Sequence, residues 1–187
     1  MMKGARWLIV LIVVVIAIGG LLIGRYNTLV GMEEKVNGAW AQVENQLKRR
    51  ADLIPNLVET VKGYAAHEEE VLTQITEARS SFNRANTPSE YAEANAEFER
   101  ALSNLYVVVE NYPELKANQN FSELQYELAG TENRIATERM RYNEAVEEFN
   151  KTIRRFPTNI IAGIFGFEAK QYFEIDEQDM KVPEVNF

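Results

Sequence analysis

RRADLIPNLVETVKGYAAHE, residues 49–68, decides how this chain folds. Its apolar spacing is helical, yet Pro55 interrupts it, Arg49 and Arg50 open it, and Gly63 and the only histidine, His67, close it. A single helix running through it would make the chain a long rod. A reversal near Gly63 would fold it into a bundle.

The surrounding pattern bears on that choice. Steps of four and three residues run from Val36 through Trp40, Val43, Leu47, Arg50, Ile54, Leu57, Val61, Tyr64, Glu68, Val71, Ile75 and Ala78 to Phe82; 12 of these 14 positions are apolar, which is a helix-packing period. Ala51, Val58, Ala65 and Leu72 widen the stripe, so it faces more than one partner helix. Downstream, Thr87-Pro88-Ser89-Glu90 is a capping threonine, a proline at the first helical position and a glutamate three residues after the cap. The stripe Tyr91, Phe98, Leu102, Leu105, Val109 follows it and stops before Pro113. Ser122-Glu123-Leu124-Gln125 reads as a second capping box, opening a helix that carries Leu128, Ile135, Tyr142 and Phe149 towards Pro157.

Lengths test the layout. One helix over 28–84 would extend about 85 Å, while a helix over 88–111 returns only about 36 Å. Val36, Trp40, Val43 and Leu47 would then face water at a cost of roughly 1.5–3 kcal/mol each. A reversal at Gly63–His67 removes the mismatch. Lys62 suits a helix C-terminus, Gly63 can take a left-handed cap, and Glu68, Glu69 and Glu70 suit a new N-terminus. The first helix then spans 28–62 and the last about 121–156. The seam keeps its phase across Gly63, which leaves a continuous helix as the alternative. Pro55 removes a backbone donor, so it kinks the first helix or starts a new segment, and Asp52 can accept a freed amide. Arg49 and Arg50 are expected half buried, stems on the seam and guanidinium groups on facing carboxylates.

The first 25 residues differ from the rest. Trp7 to Gly24 is 18 residues without a charge, about 27 Å of helix against a hydrocarbon core of ~30 Å, with Trp7 and Tyr26 at its edges. A cleaved leader at Ala17-Ile18-Gly19 is opposed by the apolar run continuing through Leu21-Leu22-Ile23. Lys3, Arg6 and the amino terminus outweigh Arg25, which favours the N-terminus inside and the following domain outside the cytoplasm. Gly20 and Gly24 have the spacing of paired membrane helices, so a homo-oligomer is an open option.

The chain of 187 residues carries 28 acidic and 20 basic residues; from Arg25 onward the balance is 18 basic to 28 acidic, a net −10. Such a surface repels phosphate backbones, so no nucleic-acid partner is expected. The absence of cysteine removes disulfides, thiolate catalysis and cysteine-based metal sites. A di-iron bundle needs Glu-x-x-His on two helices, but there is one histidine, with Tyr64 three residues before it. No cofactor and no catalytic residue are expected.

Two stretches remain as candidate sites. Glu132, Ala136, Arg139, Asn143 and Asn150 recur on one face of the last long helix. They read as an inter-helix network fixing register, pairing Arg139 with Glu44 or Asp52, or as a polar groove for a partner or ligand. FPTNIIAGIFGF, residues 156–167, carries Ile160, Ile161, Ile164, Phe165 and Phe167, with Gly163 and Gly166 weakening helix propensity. It either packs under the base of the bundle or lies in the membrane interface. Glu174, Asp176, Glu177 and Asp179 follow it.

These segments resemble the LemA family of bacterial membrane-anchored proteins. The resemblance rests on YNTLV (26–30), RRADLIPNLVETVKGYAAHE (49–68), LAGTENRIATERMRYNEAV (128–146), FPTNIIAGIFGF (156–167) and YFE (172–174). It covers nearly the whole chain in order, and it implies a single-pass membrane protein with an antiparallel helical bundle. It implies no reaction and no ligand residues. The expected fold is all-α: an anchor over 1–25, an antiparallel four-helix bundle with long first and last helices over 26–157, and an apolar segment with an acidic tail over 158–187. The expected partners are membrane lipid through residues 7–24 and a protein met as a scaffold or adaptor. An envelope sensor or ligand-binding module using the polar stripe is the alternative.

Overall fold

The computed structural model describes residues 2–174. Among the described residues it is all-helical, with six helices and no strand: α1 Met2–Lys62, α2 Glu69–Arg84, α3 Pro88–Val109, α4 Pro113–Lys116, α5 Gln119–Ile153 and α6 Thr158–Phe165. Asp176, Glu177 and Asp179, expected in an acidic tail, lie outside the described residues. The chain forms two compact units, residues 2–39 with 144–170 and residues 40–143 with 171–174.

In the first unit, α1 carries the uncharged run Trp7 to Gly24 close behind its start. It is the one helix among the described residues long and apolar enough to cross a membrane, and none of its apolar window is buried within the chain. Beyond the run the helix turns amphipathic. Leu29 and Val36 enter a core that includes Val146 and Phe149 of α5 and Ile161 and Ala162 of α6. Lys35 of α1 pairs with Glu148 of α5 at 2.9 Å.

In the second unit the seam is the core. Val43, Leu47, Ile54, Leu57 and Val61 of α1 are buried together with Ile75 and Phe82 of α2, Phe98 and Leu105 of α3, and Phe121, Leu128 and Ile135 of α5. α1 is helical on both sides of Pro55, so no new segment starts there. It ends at Lys62, and residues 63–68 are not helical, which removes the continuous-helix alternative. Gly63 does not take the expected left-handed cap: the one positive φ among the described residues is at Gly166. The reason is local. Tyr64 and Ala65 both donate to the Val61 carbonyl, at 3.0 and 2.8 Å, so a tightened turn closes the helix without a left-handed residue. Glu69 and Glu70 occupy the first turn of α2, where negative charge is favoured.

α3 begins with the full reciprocal cap at Thr87. Its Oγ1 accepts from the Glu90 N–H at 3.2 Å, and its own N–H donates to Glu90 Oε2 at 3.2 Å. α2 and α3 pack along one another, Phe82 edge-on to Phe98 at 6.1 Å. The start of α5 departs from expectation. The cap is Asn118, whose Oδ1 accepts from the Phe121 N–H at 3.0 Å, and Ser122 lies inside the helix. Phe121 is fully buried, and an earlier start is what carries it into the core.

Candidate functional site

The polar centre of the second unit grows out of the seam itself. Arg50 occupies a core position on α1 and is 2% exposed. Asn95 occupies the corresponding interruption on α3, between Tyr91 and Phe98, and is 0% exposed. Arg50 Nη1 donates to Asn95 Oδ1 at 2.8 Å. Nη1 also donates to Glu132 of α5, and Nη2 donates to Glu99 of α3. The guanidinium carbon lies 5.1 Å from the centre of the Phe98 ring. One arginine thus ties α1 to α3 and α5. Its charge is met by two carboxylates and its planar face by an aromatic ring, the combination that makes burial of a guanidinium tolerable.

The electrostatics are asymmetric. Two carboxylates share one cation, so the cluster carries a net negative charge. Partial burial pushes the Glu99 carboxyl above its ordinary value, the Arg50 charge opposes this, and the neighbouring Glu132 adds to the upward shift. Arg50 Nε and Asn95 Nδ2 have no hydrogen-bond partner among the described residues. Chemically this is a register lock. Both terminal nitrogens of Arg50 are occupied by partners on α3 and α5.

The predicted stripe on α5 is distributed among several tasks. Glu132 belongs to the Arg50 cluster. Asn143 grips backbone: its Nδ2 donates to the Phe173 carbonyl at 3.0 Å and its Oδ1 accepts from the Phe173 N–H at 2.9 Å. Beside it, the Tyr142 hydroxyl donates to the Gln171 carbonyl at 2.7 Å, and burial pushes that hydroxyl up to about 12. Phe173 is fully buried, with its ring 5.9 Å from Trp40. In the first unit Asn150 repeats the device, donating to the Lys170 carbonyl and accepting from the Lys170 N–H, both at 2.8 Å. Lys170 Nζ also pairs with Glu33 and lies 5.7 Å from the Phe149 ring centre. Arg139 is half-buried and pairs with neither Glu44 nor Asp52. Glu44 is taken by Lys48 at 2.6 Å and by the Tyr91 hydroxyl at 3.3 Å.

Among the residues of the 49–68 stretch, Arg50 is more deeply buried than expected. Arg49 is 57% exposed by side chain and pairs with Glu127 at 3.2 Å. Asp52 is exposed and caps no amide freed by Pro55, which is half-buried. His67 is exposed in the turn before α2. Among the described residues no group of three or more His, Asp or Glu is placed to hold a metal ion.

The 156–167 segment forms α6 in the first unit. Thr158, Ile161 and Ala162 are buried, while Ile160 is 51%, Ile164 69% and Phe165 55% exposed. Gly166, at φ 76°, ends the helix in the left-handed region where a side chain is strained. The chain then turns so that Phe167 packs on Phe149 at 6.4 Å and on Tyr26 at 5.8 Å.

Asn95, Glu99 and the 170–173 backbone were not singled out from sequence. A signal existed for Asn95, a polar residue on the four-three seam of α3, matching the polar Arg50 on the seam of α1. Nothing in the sequence of 170–173 marks it as the guest of two asparagines.

Comparison with known proteins adds ancestry to this geometry. The sequence profile of the LemA family matches residues 39–187. Magnetosome protein MamQ 2 of Paramagnetospirillum magneticum is 27% identical over 193 residues, covering 89% of this chain and 71% of the relative. Protein LemA of Metamycoplasma hominis is 25% identical over 167 residues, covering 87% of this chain and 76% of the relative.

Proposed function

The chain belongs to the LemA family, and from that premise we propose that it is a non-enzymatic scaffold or adaptor, anchored by residues 7–24, that docks a helix of another protein. In this reading α1, α2, α3 and α5 form an antiparallel four-helix bundle, and the bundle lies outside the cytoplasm, as the charges of Lys3 and Arg6 favour.

One observation carries the docking role. On α5, Tyr126, Ala129, Asn133, Ala136 and Met140 follow one another at steps of three, four, three and four, and all five are exposed. Tyr126 is 80% and Met140 56% exposed. This is a second seam with coiled-coil spacing, uncharged along its length in a chain whose residues are 26% charged. Small alanines between larger neighbours leave room for the knobs of an incoming helix. The alternative of a sensor using the polar stripe is disfavoured because Glu132, Asn143 and Asn150 already bond within the chain.

The test is photo-crosslinking from single positions of α5 in the full chain in its native membrane. Adducts to one second protein at 126, 129, 133, 136 and 140, and none at 127, 134 and 141, support the reading. Absent or aperiodic adducts overturn it, and adducts to another copy of the chain make it a homo-oligomer rather than an adaptor.

A further inference from the structure

We infer that α6 is a second membrane contact, an interfacial helix that seats its exposed apolar side in the lipid boundary beneath a collar of arginine and lysine that binds anionic headgroups. This rests on the reading of residues 7–24 as an anchor. Depth is set by aromatic packing. Tyr26 lies two residues beyond Gly24, about 3 Å along the helix axis. Its ring is 4.8 Å from that of Phe165 and 5.8 Å from that of Phe167. α6 is thereby pinned at the level where the uncharged run ends. At that level Ile160 and Ile164, one turn apart, are 51% and 69% exposed, and Phe156 is 81% exposed. An unpartnered apolar patch of this kind is costly in water and expected at a hydrocarbon edge.

Charge points to the same occupant. Arg25, Lys151, Arg154 and Arg155 are exposed, and none makes an ion pair among the described residues. Arg154 and Arg155 lead directly into α6, whose first turn is tied to them by the Asn159 N–H donating to the Arg155 carbonyl at 2.8 Å. The chain as a whole is acidic, yet within the first unit these four cations flank α6 without an ion pair among the described residues. Of the acids in the first unit, Glu33 and Glu148 are neutralised by Lys170 and Lys35, leaving Glu34, Glu144, Glu147 and Glu168 exposed. Basic groups above an apolar face are the arrangement of a peripheral helix on anionic lipid.

The chain has no cysteine, so single cysteines give clean labels. An environment-sensitive fluorophore is placed on Ile164→Cys, on Ile16→Cys in the anchor, and on Val107→Cys in the second unit, in the full chain reconstituted alone into phosphatidylcholine vesicles with or without phosphatidylglycerol. Position 164 is expected to show blue-shifted emission, loss of iodide quenching, and quenching by shallow rather than deep spin-labelled lipid. Adding phosphatidylglycerol should strengthen all three, and the Arg154→Ala/Arg155→Ala variant should lose that gain. Position 107 should remain open to iodide. An iodide-accessible 164 beside a lipid-protected 16 overturns the inference and leaves the anchor standing; an accessible 16 overturns the anchor itself. Protection at 164 that disappears when the protein is diluted in lipid assigns the patch to a second copy and overturns the lipid contact.

Discussion

Replacing Arg50 with methionine keeps a long, flexible side chain in the core and removes the donors. Arg50 is 2% exposed and bonds to Asn95, Glu99 and Glu132, so three acceptors on two helices lose their partner at once. Removing one member of a buried ion pair costs about 3–5 kcal/mol. The stranded carboxylates are 45% and 40% exposed and recover water with small rotations, which sets the expectation at the low end, about 3 kcal/mol. Asn95 has no such escape, being 0% exposed. Trp40 provides the assay, since it packs on Tyr91 at 5.6 Å and Tyr142 at 5.2 Å and its fluorescence reports unfolding of this unit. Urea titration of the full chain in detergent should show a lower midpoint for Arg50→Met at unchanged slope. A cycle with Glu99→Ala should return a coupling of about 1–2 kcal/mol. A loss below about 1 kcal/mol for Arg50→Met, or no coupling to Glu99, would refute the account of a charge-compensated lock.

Three further outcomes follow from the same contacts. The Glu99 carboxyl binds its proton more tightly folded than unfolded, so its contribution to stability is present at acid pH and is lost as pH rises through the folded value; the urea midpoint of the wild type should therefore gain on that of Glu99→Gln as pH falls through the folded value towards that of a free carboxyl. Thr87→Ala removes one half of a reciprocal cap and should cost about 1 kcal/mol, with faster amide exchange confined to the first turn of α3. Asn150→Ala removes two backbone hydrogen bonds to Lys170 and should cost about 1–3 kcal/mol, read as lost protection of the Lys170 amide; an unchanged exchange rate would contradict the clamp.

Much of the helical layout was legible because it rests on periodic burial and local capping. The seam from Val36 to Phe82 named most of its buried residues; helix lengths required a reversal, and Lys62, Gly63 and Glu68 to Glu70 placed the end of α1 between Lys62 and His67. Thr87 and Glu90 announced α3 because their bonds form within four residues. What was missed depends on distance in the chain. Arg50 finds Glu99 and Glu132 after 49 and 82 intervening steps, and sequence spacing along one helix cannot say which carboxylate of another will face it. Arg139 looked equally suited to the role, but its place at the flank of α5 leaves it half-buried. The cap of α5 was misplaced because Ser122 fits the local pattern, whereas burying Phe121 is a tertiary requirement. α6 shows the same conflict: Gly163 lowers its helix propensity and packing of Ile161 and Ala162 overrides it, while Gly166 ends the helix.

The asparagine grips have an evolutionary corollary. Asn150 and Asn143 hold only main-chain atoms of Lys170 and Phe173, so the grip itself is blind to which side chain sits there. Alanine or serine at 170 would still be held, and what they would forfeit is the pairing with Glu33 and the contact with the Phe149 ring. Proline is the exception at both places, since it has no N–H to offer. Drift at 170 is thus tolerated by the grip wherever the peptide bond survives unaltered, with proline as its boundary, whereas at 173 the buried ring against Trp40 adds a second constraint.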